Sequence, residues 1–110
     1  MRQLLMDEIS RPKMKAVETY LPQRAVPSGM EKIFWLELPD DLLSPLQMEH
    51  KGCGPHYLAV ETGKDFVKFE FLVRCRNRFR CDCIGFATPD QERFLLDFAR
   101  EMVRELEITT

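Results

Sequence analysis

Val67-Lys68-Phe69-Glu70-Phe71-Leu72-Val73-Arg74-Cys75-Arg76 places an apolar side chain at every second position. Only Leu72 falls out of phase. A period of two marks a strand with one face in a core and the other toward solvent. Beyond a turn near Asn77, Phe79, Cys81 and Cys83 alternate with Arg80, Asp82 and Ile84. The stretch therefore predicts a hairpin; if Cys75 pairs with Phe79, Val73 faces Cys81 and Phe71 faces Cys83, with the arginines on the opposite face, and a one-residue change of turn length would alter the partners. Upstream, residues 57–61 and 33–38 read as further strands. The turn at 50–56, with Gly52, Gly54 and Pro55, leads into the first of them, and Pro39-Asp40 ends the second. Residues 40–48, with Pro45 in the middle, fit either a helical turn or a strand.

Downstream lies a helix. Thr88 is a good N-cap, Pro89 suits the first helical position, and Gln91 completes a capping box. Phe94, Leu95, Phe98, Met102 and Leu106 recur at helical spacing, widened by Ala99 and Val103. This predicts a helix over 89–106 lying on the sheet, with a stripe wide enough to leave a homodimer surface open. At the N-terminus Leu4, Leu5 and Ile9 share one helical face, Pro12 interrupts, and a second short helix runs from Pro12 to about Tyr20. Pro22, Pro27 and Gly29 make 21–30 a loop. The expected fold class is α+β: an N-terminal helical segment over 1–23, then a β domain over 24–110. That domain is a small antiparallel sheet or six-stranded barrel closed by the last helix.

Composition sets the boundaries. The chain has 110 residues, 45% of them apolar and 31% charged, enough for one core without staples. No run approaches the ~20 apolar residues of a membrane span. An acidic pair, Asp7-Glu8, stands where a secretory signal needs its apolar stretch, so the reading is cytoplasmic, with all four cysteines reduced. Paired-carboxylate motifs, a phosphate loop and a nucleophile elbow are lacking, and the chain reads as no enzyme.

Sixteen basic against eighteen acidic residues give a net charge of −2, yet Arg74, Arg76, Arg78 and Arg80 cluster with no acid between them. Guanidinium groups suit bidentate phosphate recognition, so the cluster is a candidate anion site. It would equally steer an acidic protein partner. The small patch and acidic remainder argue against nucleic acid. The alternative reading of the same cluster is a solvated hairpin tip.

His50-x-x-Cys53-x-x-His56 and Cys81-x-Cys83 have ligand-like spacing, and His50, Cys53, His56, Cys81 and Cys83 are of the kinds zinc takes. A metal or redox-sensing domain is therefore an alternative function. Position on an inward strand face favours the simpler reading of Cys75, Cys81 and Cys83 as small buried apolar groups.

The run Phe79-Arg80-Cys81-Asp82-Cys83-Ile84-Gly85-Phe86-Ala87-Thr88-Pro89-Asp90-Gln91-Glu92, followed by Phe94, Leu95 and Phe98, resembles the close of a PilZ domain. The resemblance implies a six-stranded barrel and a non-enzymatic regulatory or adaptor module, whose usual ligand is the bacterial second messenger cyclic di-GMP. The family's [D/N]-x-S-x-x-G motif has an altered counterpart in Glu49-His50-Lys51-Gly52-Cys53-Gly54. Of its R-x-x-x-R motif only Arg24 is present, with Ser28 four residues on. By this resemblance Arg24, Glu49, Lys51 and Gly54, with the four clustered arginines, would contact an anionic nucleotide. A protein-interaction module without a small-molecule ligand is the further alternative.

Overall fold

A computed structural model describes residues 2–76 and 81–109. The alternation over 67–76 does its expected work: Val67, Phe69, Phe71, Val73 and Cys75 are all buried. The strand is not continuous, however. It divides into β5 (Val67–Glu70) and β6 (Leu72–Cys75), both antiparallel to β4 (His56–Thr62). Val60 opposes Phe69 and Tyr57 opposes Arg74, so three steps along β4 span five along its partner. The partner thus carries two extra residues in a bulge at the break. Because two is even, the inward face stays inward through the bulge. At the break Phe71 N–H donates to the Arg2 carbonyl, and the Phe71 carbonyl accepts from Ala87 N–H.

The remaining strands are β1 (Gln3–Met6), β2 (Val26–Pro27), β3 (Ile33–Glu37) and β7 (Gly85–Phe86). Their order is β1-β5-β4-β3-β2, with β6 joining β4 to β7. All pairings are antiparallel, and the sheet is open: no closed barrel forms among the described residues.

Helices α1 (Arg11–Arg24) and α3 (Pro89–Leu106) cover one sheet face. Leu58, Val60, Phe69 and Phe71 from the sheet meet Val17 and Leu21 from α1 and Leu95 and Met102 from α3, all fully buried. Each such side chain contributes about 1.5–3 kcal/mol through burial. The Phe98 ring edges Tyr20 and Phe69 at 6.1 and 6.4 Å between centroids, joining both helices to the sheet.

Three expectations need correction. Residues 3–6 form an edge strand, not a helix. Pairing with Val67–Glu70 turns Leu4 and Met6 inward and leaves Leu5 exposed, a tertiary gain that outweighs a short helical pattern. Helix α1 runs through Pro22 to Arg24 rather than ending near Tyr20, and Val26–Pro27 pair with β3, so 21–30 is not the loop expected. The helix's buried Tyr20 and Leu21 hold the last turn on the core, and Ala25 N–H still reaches the Leu21 carbonyl.

The third correction concerns the second arm of the hairpin. Its tip at 77–80 lies outside the described residues, and 81–84 form a turn closed by Ile84 N–H on the Cys81 carbonyl. Strand β6 therefore pairs Val73 with Gly85 and Leu72 with Phe86, not Val73 with Cys81 or Phe71 with Cys83. The helix over 89–106 is as expected, with its capping box complete.

Candidate metal centre

Two short sequences of one pattern build the site's scaffold: Ser44-Pro45-Leu46-Gln47 and Thr88-Pro89-Asp90-Gln91. Each makes a capping box. The N-cap hydroxyl accepts from the glutamine N–H at 3.2 Å, and the glutamine Oε1 accepts from the N-cap N–H at 2.9 Å. The first box opens α2 (Pro45–Glu49), resolving 40–48 as helical turns. The two glutamine side chains then meet. Gln91 Nε2 donates to Gln47 Oε1 and to the Leu42 carbonyl, both at 2.8 Å, while Gln47 Nε2 donates to the Cys83 carbonyl at 3.3 Å. This bridge holds α2, the start of α3 and the 81–84 turn as one unit. Ser44-Pro45-x-Gln47 carries the same signal as Thr88-Pro89-x-Gln91, and it decides for the helical turn over the strand at 40–48.

Helix α2 ends at His50, and a 3-10 turn over Lys51–Cys53 follows, with Cys53 N–H on the His50 carbonyl. His50 and Cys53 so stand at the two ends of one turn. Opposite them the 81–84 turn presents Cys81 and Cys83. One ligand atom from each of His50, Cys53, Cys81 and Cys83 falls within 4.8 Å of every other. Cys81 Sγ lies 3.2 Å from His50 Nδ1 and 3.6 Å from Cys53 Sγ, and Cys53 Sγ lies 4.0 Å from His50 Nδ1. A tetrahedron with Zn–S of about 2.3 Å and Zn–N of about 2.0 Å has edges of about 3.8 Å between sulfurs and about 3.5 Å between sulfur and nitrogen. The two sulfur–nitrogen distances bracket their edge, and the sulfur–sulfur distance of 3.6 Å lies close to its own.

The electrostatics divide the thiols. Hydrogen bonds from the Cys83 backbone N–H and thiol, helped by Cys53 and His50, hold the Cys81 thiol down to about 7. Burial, with the neighbouring Cys81 and Cys75 thiols, pushes the Cys83 thiol up instead. Cys75 joins Cys53 and Cys83 in one buried cluster, and Cys81 and Ile84 are the partly buried hydrophobic residues packed against it.

Of the five residues with ligand-like spacing, the structure brings four together. His56 stays apart as a buried residue of β4, opposite Cys75. Its Nε2 has no partner among the described residues, and burial lowers its pKa, with the nearby His50 acting in the same direction. Cys75 and Cys83 are buried, as the apolar reading expects, while Cys81 is only half-buried; Cys53, outside that reading, is buried too.

The described arginines of the candidate anion site fall on two sides of the molecule. Arg74 and Arg76 edge a hollow on the sheet face opposite the helices, and Arg74 is bonded to Glu70 through Nε and Nη2. Arg24 ends α1 on the helical side, paired with Glu105 at 3.4 Å and set over the Tyr20 ring. Glu49 and Lys51 belong to the α2 segment, where Lys51 pairs with Asp40 at 3.2 Å, and Gly54 caps the 3-10 turn. Arg78 and Arg80 lie outside the described residues. None of the described helices is long and apolar enough to cross a membrane. Comparison of the chain with protein-family models, characterised proteins and solved structures returned no match.

Proposed function

We propose that this chain is a metal-binding domain in which Cys53, Cys81, Cys83 and His50 hold one structural zinc ion. The observation that carries the reading is the convergence of four ligand atoms within 4.8 Å from two turns 28 residues apart. Three thiolates and one imidazole complete a tetrahedron, leaving no open position for water or substrate, which favours a structural over a catalytic role. Softness of the donor set favours zinc over magnesium or calcium.

A physical need supports the same reading. The end of the sheet beside β6 has a cluster made of thiols and Ile84, with too little apolar volume for a core of its own. A metal there would tie the 81–84 turn to α2, and its binding energy would become folding energy for that end of the molecule.

The test is elemental analysis of protein purified without chelator, together with cobalt substitution. One zinc per chain, and cobalt absorption bands of a tetrahedral thiolate site that vanish in Cys83→Ser, are expected. Metal-free protein that gives no such bands on cobalt addition would overturn the reading.

A further inference from the structure

The sheet face turned away from α1 and α3 carries a second feature, independent of the metal centre. Strands β3 and β4 place Ile33, Trp35, Tyr57 and Ala59 outward, opposite in phase to the core residues Leu36, Leu58 and Val60. Trp35 pairs with Ala59 and Glu37 with Tyr57, so Trp35 and Tyr57 are diagonal neighbours on this face. Their rings lie 5.7 Å apart between centroids and 24° from parallel, stacked one against the other, with Tyr57 buried and Trp35 half-buried at the hollow. Met30 borders the hollow from the β2–β3 turn, and Ile84 from the turn before β7, enclosing about 550 Å³. Small-molecule sites fall in this range of ~300–1,000 Å³.

Charge along the rim is uneven. Lys68 pairs with Glu61 at 3.7 Å, and Arg74 with Glu70 at 2.9 Å, which accounts for both acids lining the hollow. Arg76, exposed at the end of β6, has no carboxylate partner among the described residues. The hollow therefore combines an aromatic floor, apolar walls and one unmatched guanidinium. We infer that it binds a small, flat aromatic molecule bearing a single anionic group, with the ring on the Trp35 indole, backed by Tyr57, and the anion on Arg76. Stacking supplies contact that tolerates different rings, while the charge-assisted hydrogen bond selects for the anion. A phosphate and a carboxylate both satisfy Arg76, so the chemistry admits an aryl phosphate ester or an aryl carboxylate.

Trp35 is the single tryptophan, so its indole N–H gives one resolved signal in an amide NMR spectrum of the metal-loaded protein. Two pairs of probes are titrated: adenosine 5′-monophosphate against adenosine, and 2-naphthoate against 2-naphthamide. A saturable shift of the Trp35 signal is expected with at least one anion, with its neutral counterpart about tenfold weaker. Arg76→Gln, at an exposed site that does not threaten folding, is expected to bring that anion to the affinity of the neutral molecule. A response to the nucleotide alone assigns a phosphate ligand, and a response to naphthoate alone a carboxylate. No saturable shift with either anion at millimolar concentration overturns the inference. So does equal binding of the neutral probes, or anion binding that is unchanged in Arg76→Gln. None of the four proposed metal ligands lines the hollow, but Ile84 belongs to their turn, so the titration is run on both metal-loaded and metal-free protein, and binding to the metal-free protein separates this inference from the zinc reading.

Discussion

Gln91 Nε2 donates to Gln47 Oε1 at 2.8 Å, joining two capping boxes 44 residues apart in sequence. Gln91 is fully buried, and its amide also serves the Leu42 carbonyl and the Thr88 N–H. Gln91→Leu would leave those groups unpaired in the interior, at about 1–3 kcal/mol for each that water cannot reach. We expect a loss of about 2–4 kcal/mol in urea unfolding. Gln47→Leu should cost less but should lower metal affinity more, because Gln47 alone holds the Cys83 carbonyl. Equal metal affinity in wild type and Gln47→Leu would detach the bridge from the site.

Ligand identity separates the two histidines and the four cysteines. His50→Ala and Cys81→Ser should each lower zinc affinity, by about 10- to 100-fold or more. Cys75→Ser and His56→Phe should keep one zinc per chain, because neither residue belongs to the four converging groups. Competition with a chromophoric chelator reads both. Loss of stoichiometry in Cys75→Ser would move the site deeper into the sheet end.

Chelation should act locally. The core of Leu58, Phe69, Phe71 and Leu95 does not touch the thiol cluster's own packing. Hydrogen exchange after EDTA treatment of the loaded protein should therefore accelerate at 50–54 and 81–86, while the amides of β4, β5 and α3 stay protected. Uniform acceleration across the chain would mean that the metal governs the whole fold.

The β4–β5 turn depends on Gly63, whose N–H donates to the Phe66 carbonyl at 2.9 Å. A Cβ at that position would overlap the Phe66 ring. Gly63→Val should cost about 1–3 kcal/mol by thermal unfolding, and Gly63→Val/Phe66→Ala should recover part of it.

At the other end of the chain Glu107 caps α3 in the left-handed region, with φ 53°. Ile108 N–H reaches back to the Val103 carbonyl at 3.0 Å and buries the isoleucine side chain. Glycine enters that region without a Cβ penalty, so Glu107→Gly should stabilise the protein by about 0.5–1 kcal/mol.

Local rules carried a good share of the structure. The residues of α3 specify their own cap and their own stripe, both within hydrogen-bonding and packing reach of neighbours in sequence. The alternation from Val67 to Cys75 likewise specifies its inward face, and an even-numbered bulge leaves that face unchanged. For the metal centre, the residue types and the spacing of His50 with Cys53 and of Cys81 with Cys83 were legible. Their convergence was not, because it depends on the Gln91–Gln47 bridge and on a turn where the alternation reads as strand.

What the sequence determined by itself is therefore local in origin: an α+β composition, the inward faces of the strands, and the C-terminal helix with its N-terminal cap. Tertiary structure alone decided that Gln3–Met6 becomes an edge strand, that the sheet stays open, and that four candidate ligand atoms from two distant turns come within 4.8 Å of one another. The physical reason is common to all three. Each depends on pairing or bridging between segments far apart in the chain, whose energies outweigh local propensities of a few tenths of a kcal/mol per residue.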